Sequence, residues 1–287
     1  MKILVTGSGT ILGGAIVKKL LRKNYKVIAA YRKNLPKISK HKNLKNLRFN
    51  LKNKIKINED YDILIHCASA IPSYNVSAKE MMDVNYFGFV KLLDNALKNN
   101  CKKVMLISTM SVYGKISKKI INENYQGKNL DAYGKSKKMM ERYLNIFSKK
   151  NGVTSIIFRL SGIVGEKSIS YLSRVLNKIK SGEEIVFSNP NLKFNTFIHV
   201  DNFANVAYNF IKKQKKNCIF NIGTTYPLKL KKIILYIFKR SKIKPNYKII
   251  SSSNKGYTIK LSKNLKKKCK IFSTKKTLDL FLKQNLN

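Results

Sequence analysis

The sequence predicts an α/β chain built on a doubly wound parallel sheet, with a smaller α/β part toward its C-terminal end. Three observations carry this. Short β-rich runs alternate with longer segments whose apolar residues recur at helical spacing. A glycine-rich turn follows the first strand directly and opens the first helix. The 287 residues are 44% hydrophobic, enough to bury a sizeable core and too many for a disordered chain.

In chain order, Lys2–Thr6, Tyr25–Tyr31, Leu47–Leu51, Asp62–Cys67, Lys103–Ser108 and Val153–Leu160 read as strands. Between them Ile11–Lys23, Ser77–Asn99 and Ala132–Lys149 read as helices. In the second, Met81, Val84, Phe87, Val90, Leu93 and Leu97 recur every three or four positions. Past Leu160 the rhythm loosens. Ser168–Ser181, Asp201–Lys213, Leu228–Lys239 and Thr274–Leu282 read as helices separated by shorter strand candidates. The expected division is residues 1–160 for the sheet and 161–287 for the C-terminal part, with the chain crossing back to the sheet around 185–222. A cleft is expected over the carboxyl ends of the strands, where such sheets take ligands.

Lys+Arg 59 against Asp+Glu 14 gives a net charge of +45. Of these cations 52 are Lys and 7 are Arg, spread from Lys2 to Lys283 rather than gathered. Nucleic-acid surfaces favour Arg, whose planar fork reads bases and clamps phosphates. Lys, Asn and Ile share A/T-rich codons, so the excess needs no polynucleotide partner, although its field would attract an anionic small substrate. No apolar run is long enough to span a membrane. The uncharged segment Ile3–Val17 is broken by Thr6 to Thr10 and lacks a small-residue cleavage site, so no secretory signal is expected. Cys67, Cys101, Cys218 and Cys269 have neither zinc nor disulfide spacing, which fits a reducing cytoplasm. His41, His66 and His199 show no metal-ligand spacing.

The turn Thr6-Gly7-Ser8-Gly9-Thr10-Ile11-Leu12-Gly13-Gly14 suits a pyrophosphate, held by free amides at a helix start that glycines let it approach. At the end of the second strand, Ala30-Tyr31-Arg32-Lys33 offers no carboxylate for the ribose 2′-hydroxyl of NAD. Arg32 would suit the 2′-phosphate of NADP instead. Tyr133-Gly134-Lys135-Ser136-Lys137 sets a phenol and an amine four residues apart, on one helix face. An ammonium there would lower the phenol's pKa toward the range of general acid–base catalysis. Ile107-Ser108-Thr109-Met110-Ser111-Val112-Tyr113-Gly114 closes the preceding strand, and a hydroxyl from Thr109 or Ser108 would hold a substrate's reacting oxygen beside Tyr133. Gly134-Lys135-Ser136 mimics the end of a phosphate loop, but Asn129 stands where that motif needs Gly. No Gly-x-Ser-x-Gly elbow occurs.

Taken together these segments resemble the extended short-chain dehydrogenase/reductases, the NAD-dependent epimerase/dehydratase family. Further matches are Asp62-Ile63-Leu64-Ile65-His66-Cys67-Ala68-Ser69, Asn85-Tyr86-Phe87-Gly88 and Phe158-Arg159-Leu160-Ser161-Gly162-Ile163-Val164-Gly165. Phe197-Ile198-His199-Val200-Asp201 and Phe220-Asn221-Ile222-Gly223 complete them. The resemblance implies a Rossmann-type sheet, NAD(P) as cofactor, and a catalytic set of Thr109, Tyr133 and Lys137. It places Gly7, Gly9, Thr10, Ile11, Leu12, Gly13, Arg32, Ala68, Ser69, Tyr133 and Lys137 against the cofactor. Thr109, Met110, Ser111 and Asn195 fall against the substrate. The implied chemistry is reduction or epimerisation of a nucleotide-linked sugar or keto-sugar by hydride transfer, with Tyr133 moving the proton; a homodimer is allowed. Arg32 tips the cofactor expectation toward NADP and so toward reduction. Three positions depart from the family pattern. Thr10 replaces the middle glycine, Met110-Ser111 replaces the Asp-Glu of sugar dehydratases, and Asn195 stands where many members hold a diphosphate with Arg. The alternative, a dinucleotide-binding sensor or assembly protein with a drifted site, is opposed by the intact Thr109, Tyr133 and Lys137.

Overall fold

The computed structural model describes residues 1–72, 75–253 and 255–286. The chain opens with β1 (Lys2–Thr6), α1 (Ile11–Leu21), β2 (Lys26–Tyr31), β3 (Leu44–Arg48) and β4 (Ile63–His66). Then come α2 (Ala78–Met81), a π-helical turn at Met82–Phe87, α3 (Gly88–Lys98), β5 (Lys103–Thr109) and a 3₁₀ turn at Met110–Tyr113. β6 (Ile120–Ile121), α4 (Ala132–Asn151), β7 (Thr154–Leu160), β8 (Gly162–Val164) and α5 (Tyr171–Lys180) follow. The next stretch holds β9 (Ile185–Phe187), β10 (Lys193–Phe194), β11 (Phe197–His199), α6 (Val200–Lys213) and β12 (Cys218–Ile222). It ends with β13 (Leu228–Lys229), α7 (Leu230–Ser241), β14 (Tyr247–Ile249), β15 (Thr258–Ile259), α8 (Lys263–Lys268) and α9 (Thr274–Leu286).

Seven strands form one sheet in the order β12-β7-β5-β4-β1-β2-β3. Its β1–β2, β1–β4, β2–β3 and β4–β5 registers are all parallel, as crossovers through helices require. The order reverses between β1 and β4, which makes that gap the switch point where doubly wound sheets open a ligand crevice. Successive strand residues face opposite sides. Leu4, Ile28, Leu64 and Leu106 therefore meet Phe89 and Leu93 of α3 and Met140 and Leu144 of α4 in one buried cluster. On the other face α1 meets α6, with Lys19 and Lys23 over the Tyr208 ring.

Contacts divide the chain into two compact units. The first comprises 1–115, 126–159 and 204–220; the second comprises 116–125, 160–203 and 221–287. The second has its own core, in which Leu172 and Ile179 of α5, Ile233 and Ile237 of α7, and Leu278 and Phe281 of α9 are buried together.

Two elements differ from expectation. The strand expected at Leu47–Leu51 runs at Leu44–Arg48, because Leu51 is buried against Gly88 at the start of α3 instead of pairing at the sheet edge. The single helix expected over Ser77–Asn99 is interrupted by the π-helical turn, which turns Asn85 into the core, where it is fully buried.

Candidate active site at the carboxyl ends of the strands

The glycine turn closes on the switch point. Gly7 sits at φ +69°, and a Cβ there would lie 2.7 Å from the Ala68 nitrogen at the end of β4. A Cβ on Gly13 would lie 2.2 Å from the Gly7 oxygen, so this backbone is tight enough to leave a cradle only glycines permit. Thr10 is the N-cap of α1: its Oγ1 donates to the Gly7 carbonyl at 2.8 Å and accepts from the Gly13 N–H at 3.1 Å. Helix geometry leaves the Ile11 and Leu12 amides without an acceptor inside the helix. Gly9, where a Cβ would come within 2.0 Å of the Asn34 oxygen, admits the loop after β2. The cradle fits a dinucleotide pyrophosphate; the Ile11 and Leu12 amides would hold it, over the bare backbone of Gly7 and Gly13. Arg32 is exposed just past β2. The Glu80 carboxylate of α2 lies within electrostatic reach of Arg32 and is held below its ordinary range by its pair with Lys52 at 2.6 Å.

The end of β5 grips one face of α4. Asp131 starts that helix by accepting from the Gly134 N–H at 2.6 Å. Gly134 allows the close approach, since a Cβ there would lie 2.3 Å from the Ser111 oxygen. Two successive strand residues then hold two helix residues spaced four apart, and the next strand residue, Thr109, comes near a third, Tyr133. The Ile107 carbonyl accepts from Lys137 Nζ at 2.8 Å, and the Ser108 hydroxyl donates to Glu141 Oε1 at 2.6 Å. The Thr109 hydroxyl lies near enough to the Tyr133 phenol to favour its ionised form. Thr109 Oγ1 also accepts from the Ser111 N–H at 3.2 Å, while Met110 is buried at the start of the 3₁₀ turn.

Sequence reasoning missed the residues that lock this arrangement. Glu141 accepts from Arg159 Nη2 at 2.7 Å and Nε at 3.0 Å, and Arg159 Nη1 donates to the Tyr113 hydroxyl at 2.7 Å. All three side chains are buried, so the ion pair works without solvent screening. The periodicity Tyr133, Lys137, Glu141 was the available signal. Asn85 was seen only as part of a family match. Its Oδ1 accepts from the Ala70 N–H at 2.8 Å and the Ser69 hydroxyl at 3.0 Å, and its Nδ2 donates to Ser136 Oγ at 3.0 Å.

The electrostatics differ from the sequence expectation. Burial pushes the Tyr133 phenol above its ordinary pKa, and the nearby Asp131 charge adds to this. The Ser69 and Thr109 hydroxyls pull the other way. Burial lowers Lys137 to about 8, against the opposing pull of Cys67 and Glu141. Desolvation thus outweighs the two hydroxyls in the free protein, contrary to the lowering expected from the ammonium. His66, packed on Phe89 and bonded through Nδ1 to Thr6 Oγ1 at 2.8 Å, is held neutral by burial. Asn195, in the second unit, is buried. Its amide donates to the Thr224 and Ile259 carbonyls at 3.2 and 2.9 Å, so both of its N–H donors are engaged by backbone. Among the described residues no His, Cys, Asp or Glu cluster could hold a metal, and no helix is long and apolar enough to cross a membrane.

Residues 3–223 match the model of the NAD dependent epimerase/dehydratase family. The chain belongs to that family. It is 30% identical over 244 residues to the ADP-L-glycero-D-manno-heptose-6-epimerase of Brachyspira hyodysenteriae, covering 77% of this chain and 76% of that protein. The fold superposes on UDP-glucose 4-epimerase with UDP-glucose from Thermotoga maritima with a TM-score of 0.81 at 20% identity, over 99% and 98% of the two chains. It superposes on the dTDP-glucose 4,6-dehydratase of Bacillus anthracis in complex with NAD with a TM-score of 0.82 at 18% identity, over 99% and 96%. At those identities the likeness is one of fold: the family's mixed α/β architecture on a seven-stranded central sheet.

Proposed function

We propose that this family member is an NAD(P)-dependent oxidoreductase that epimerises a carbon of a nucleotide-linked sugar, with Tyr133 as the acid and base. The observation that carries the reading is the gathering of Thr109, Tyr133 and Lys137 where the end of β5 meets one face of α4. A bound nicotinamide supplies a hydride acceptor and donor. Tyr133 as phenolate would take the proton of the reacting hydroxyl as the carbinol C–H electrons leave as hydride, and would return it when hydride comes back to the other face. The Thr109 hydroxyl would hold the reacting oxygen, stabilising charge as it develops. Lys137 would supply positive charge one helical turn from the phenol and bind the nicotinamide ribose.

The epimerases among the relatives and structural neighbours support epimerisation with NAD. Arg32, exposed past β2 with no acid beside it in sequence, favours a second reading: reduction of a keto-sugar with NADPH. One experiment separates them. Purified protein is assayed for a bound dinucleotide, then incubated with UDP-glucose and NAD⁺, or with a 4-keto nucleotide sugar and NADPH. Epimerised UDP-sugar without net cofactor consumption is the expected result. Stoichiometric NADPH oxidation would replace epimerisation with reduction, and no reaction with either pair would remove the enzymatic reading.

A further inference from the structure

We propose that Glu141 is a positioning residue for the reaction: its carboxylate, clasped by Arg159, anchors both ends of the segment that presents Thr109 to the substrate. This rests on Thr109 holding the reacting oxygen in the proposed reaction. Glu141 stands on α4 four residues beyond Lys137, so the two share one face of the helix. Its Oε1 accepts from the Ser108 hydroxyl at 2.6 Å and from Arg159 Nε at 3.0 Å, and its Oε2 accepts from Arg159 Nη2 at 2.7 Å. Arg159, near the end of β7, reaches the other end of the segment. Its Nη1 donates to the Tyr113 hydroxyl at 2.7 Å, and its guanidinium carbon lies 4.9 Å from the centre of the Tyr113 ring. Ser108 precedes Thr109, and Tyr113 closes the 3₁₀ turn that carries Met110 and Ser111. Thr109 to Val112 are thus strung between two side chains that end on one ion pair.

Ser108, Glu141, Arg159 and Tyr113 are all buried. Bonds from a guanidinium or a hydroxyl to a buried carboxylate are short and directional, so they fix angle as well as distance. A buried ion pair is a poor device for stability. The cost of desolvating two charges cancels most of their attraction, and apolar side chains of the same size fold a core as well. Apolar side chains cannot, however, hold a hydroxyl at a set distance and angle. Thr109 needs that precision. Its Oγ1 accepts from the Ser111 N–H at 3.2 Å and lies 3.3 Å from Ser111 Oγ, so a shift of the turn carries the hydroxyl with it. A displacement of about 1 Å at a reacting group costs up to about a hundredfold in rate. Ser108 therefore has a different task from its neighbour. Its proton points at Glu141, which leaves Thr109 as the hydroxyl for the substrate oxygen.

The test uses Ser108→Ala, which removes one bond to Glu141 and leaves its pair with Arg159 in place. Kinetics are measured with whichever pair turns over, UDP-glucose and NAD⁺ or a 4-keto nucleotide sugar and NADPH. S108A is expected to lower kcat about tenfold, because the bond from Thr109 strengthens as charge develops on the oxygen. KM for the sugar and dinucleotide affinity are expected to stay within about twofold of wild type. Thermal unfolding of the same preparation establishes that it is folded. The substitution is then repeated beside Glu141→Gln, which keeps an acceptor for Ser108 and loses the charge. If Ser108 acts through Glu141, S108A lowers kcat less there than in wild type, whereas an independent contribution to folding gives equal falls. Wild-type kcat in folded S108A, a change confined to KM, or equal falls in the two backgrounds overturns the proposal. If E141Q does not fold, kcat and KM of S108A decide alone. Thr109→Val separates this from the parent reading. Wild-type kcat in T109V removes the role of Thr109 itself, whereas an impaired T109V beside an S108A of wild-type kcat removes only that of Glu141.

Discussion

Lys137 shows how a single residue trades stability for chemistry. Its ammonium is fully buried, with the Ile107 carbonyl as hydrogen-bond acceptor, and burial lowers its pKa to about 8. In the unfolded chain a lysine holds its proton to about pH 10.4. Between those limits the unfolded state binds more protons, so stability rises with pH from about 8 to about 10 and the cost is complete below 8. The cost is about 3 kcal/mol at neutral pH by the same linkage. Replacing Lys137 with Met should therefore give a protein whose stability relative to wild type is greatest below pH 8 and shrinks toward pH 10. Denaturant unfolding at several pH values measures this, and a difference independent of pH would show that the lysine is not desolvated. This balance has no local signature along the chain. Spacing sets Lys137 on the helix face of Tyr133, but burial is a property of the packed helix.

At the level of elements, the site depends on where α4 begins and how close it lies to β5. The N-cap Asp131 fixes the first, and Gly134 against the Ser111 carbonyl permits the second. Asp131→Ala should cost about 1 kcal/mol of stability, as N-cap truncations do. It should also lower turnover by loosening the turn that carries Tyr133 two residues on. Thermal unfolding and steady-state kinetics on the same variant check both, and a stability loss with unaltered turnover would show that the cap does not position the phenol. Most of these elements were legible because their apolar residues repeat with a period of two or of three to four. Two were not, for identifiable reasons. Strand β3 lies at the sheet edge with exposed Lys45, Asn46 and Arg48, so its pattern is weak, while Phe49 and Leu51 just beyond it are apolar because they pack into the core. The π-helical turn adds a residue to a helical repeat without changing its composition, and only the fully buried Asn85 betrays it.

For the whole molecule, a doubly wound parallel sheet with its ligand edge at the strand carboxyl ends follows from strand–helix alternation plus one glycine turn, and this was readable in advance; the order β12-β7-β5-β4-β1-β2-β3 was not. The division into units was less so. The contact pattern has residues 204–220 in the first unit, and it gives 116–125 to the second through tertiary contacts with no local signature. The pieces of the site that matter most, Thr109, Tyr133, Lys137, Ser69 and Asn85, all lie in the first unit. Those chemical groups were visible as motifs; the buried bracing by Glu141, Arg159 and Asn85 was not, because its partners come from four separated segments. Exchange of Tyr133 for Phe is the sharpest trial of the acid–base role, since it removes one oxygen and leaves the ring that fills the helix face. With dinucleotide affinity and turnover measured on the same preparation, affinity is expected within about twofold of wild type and turnover at least about a hundredfold lower. Turnover close to wild type would contradict it.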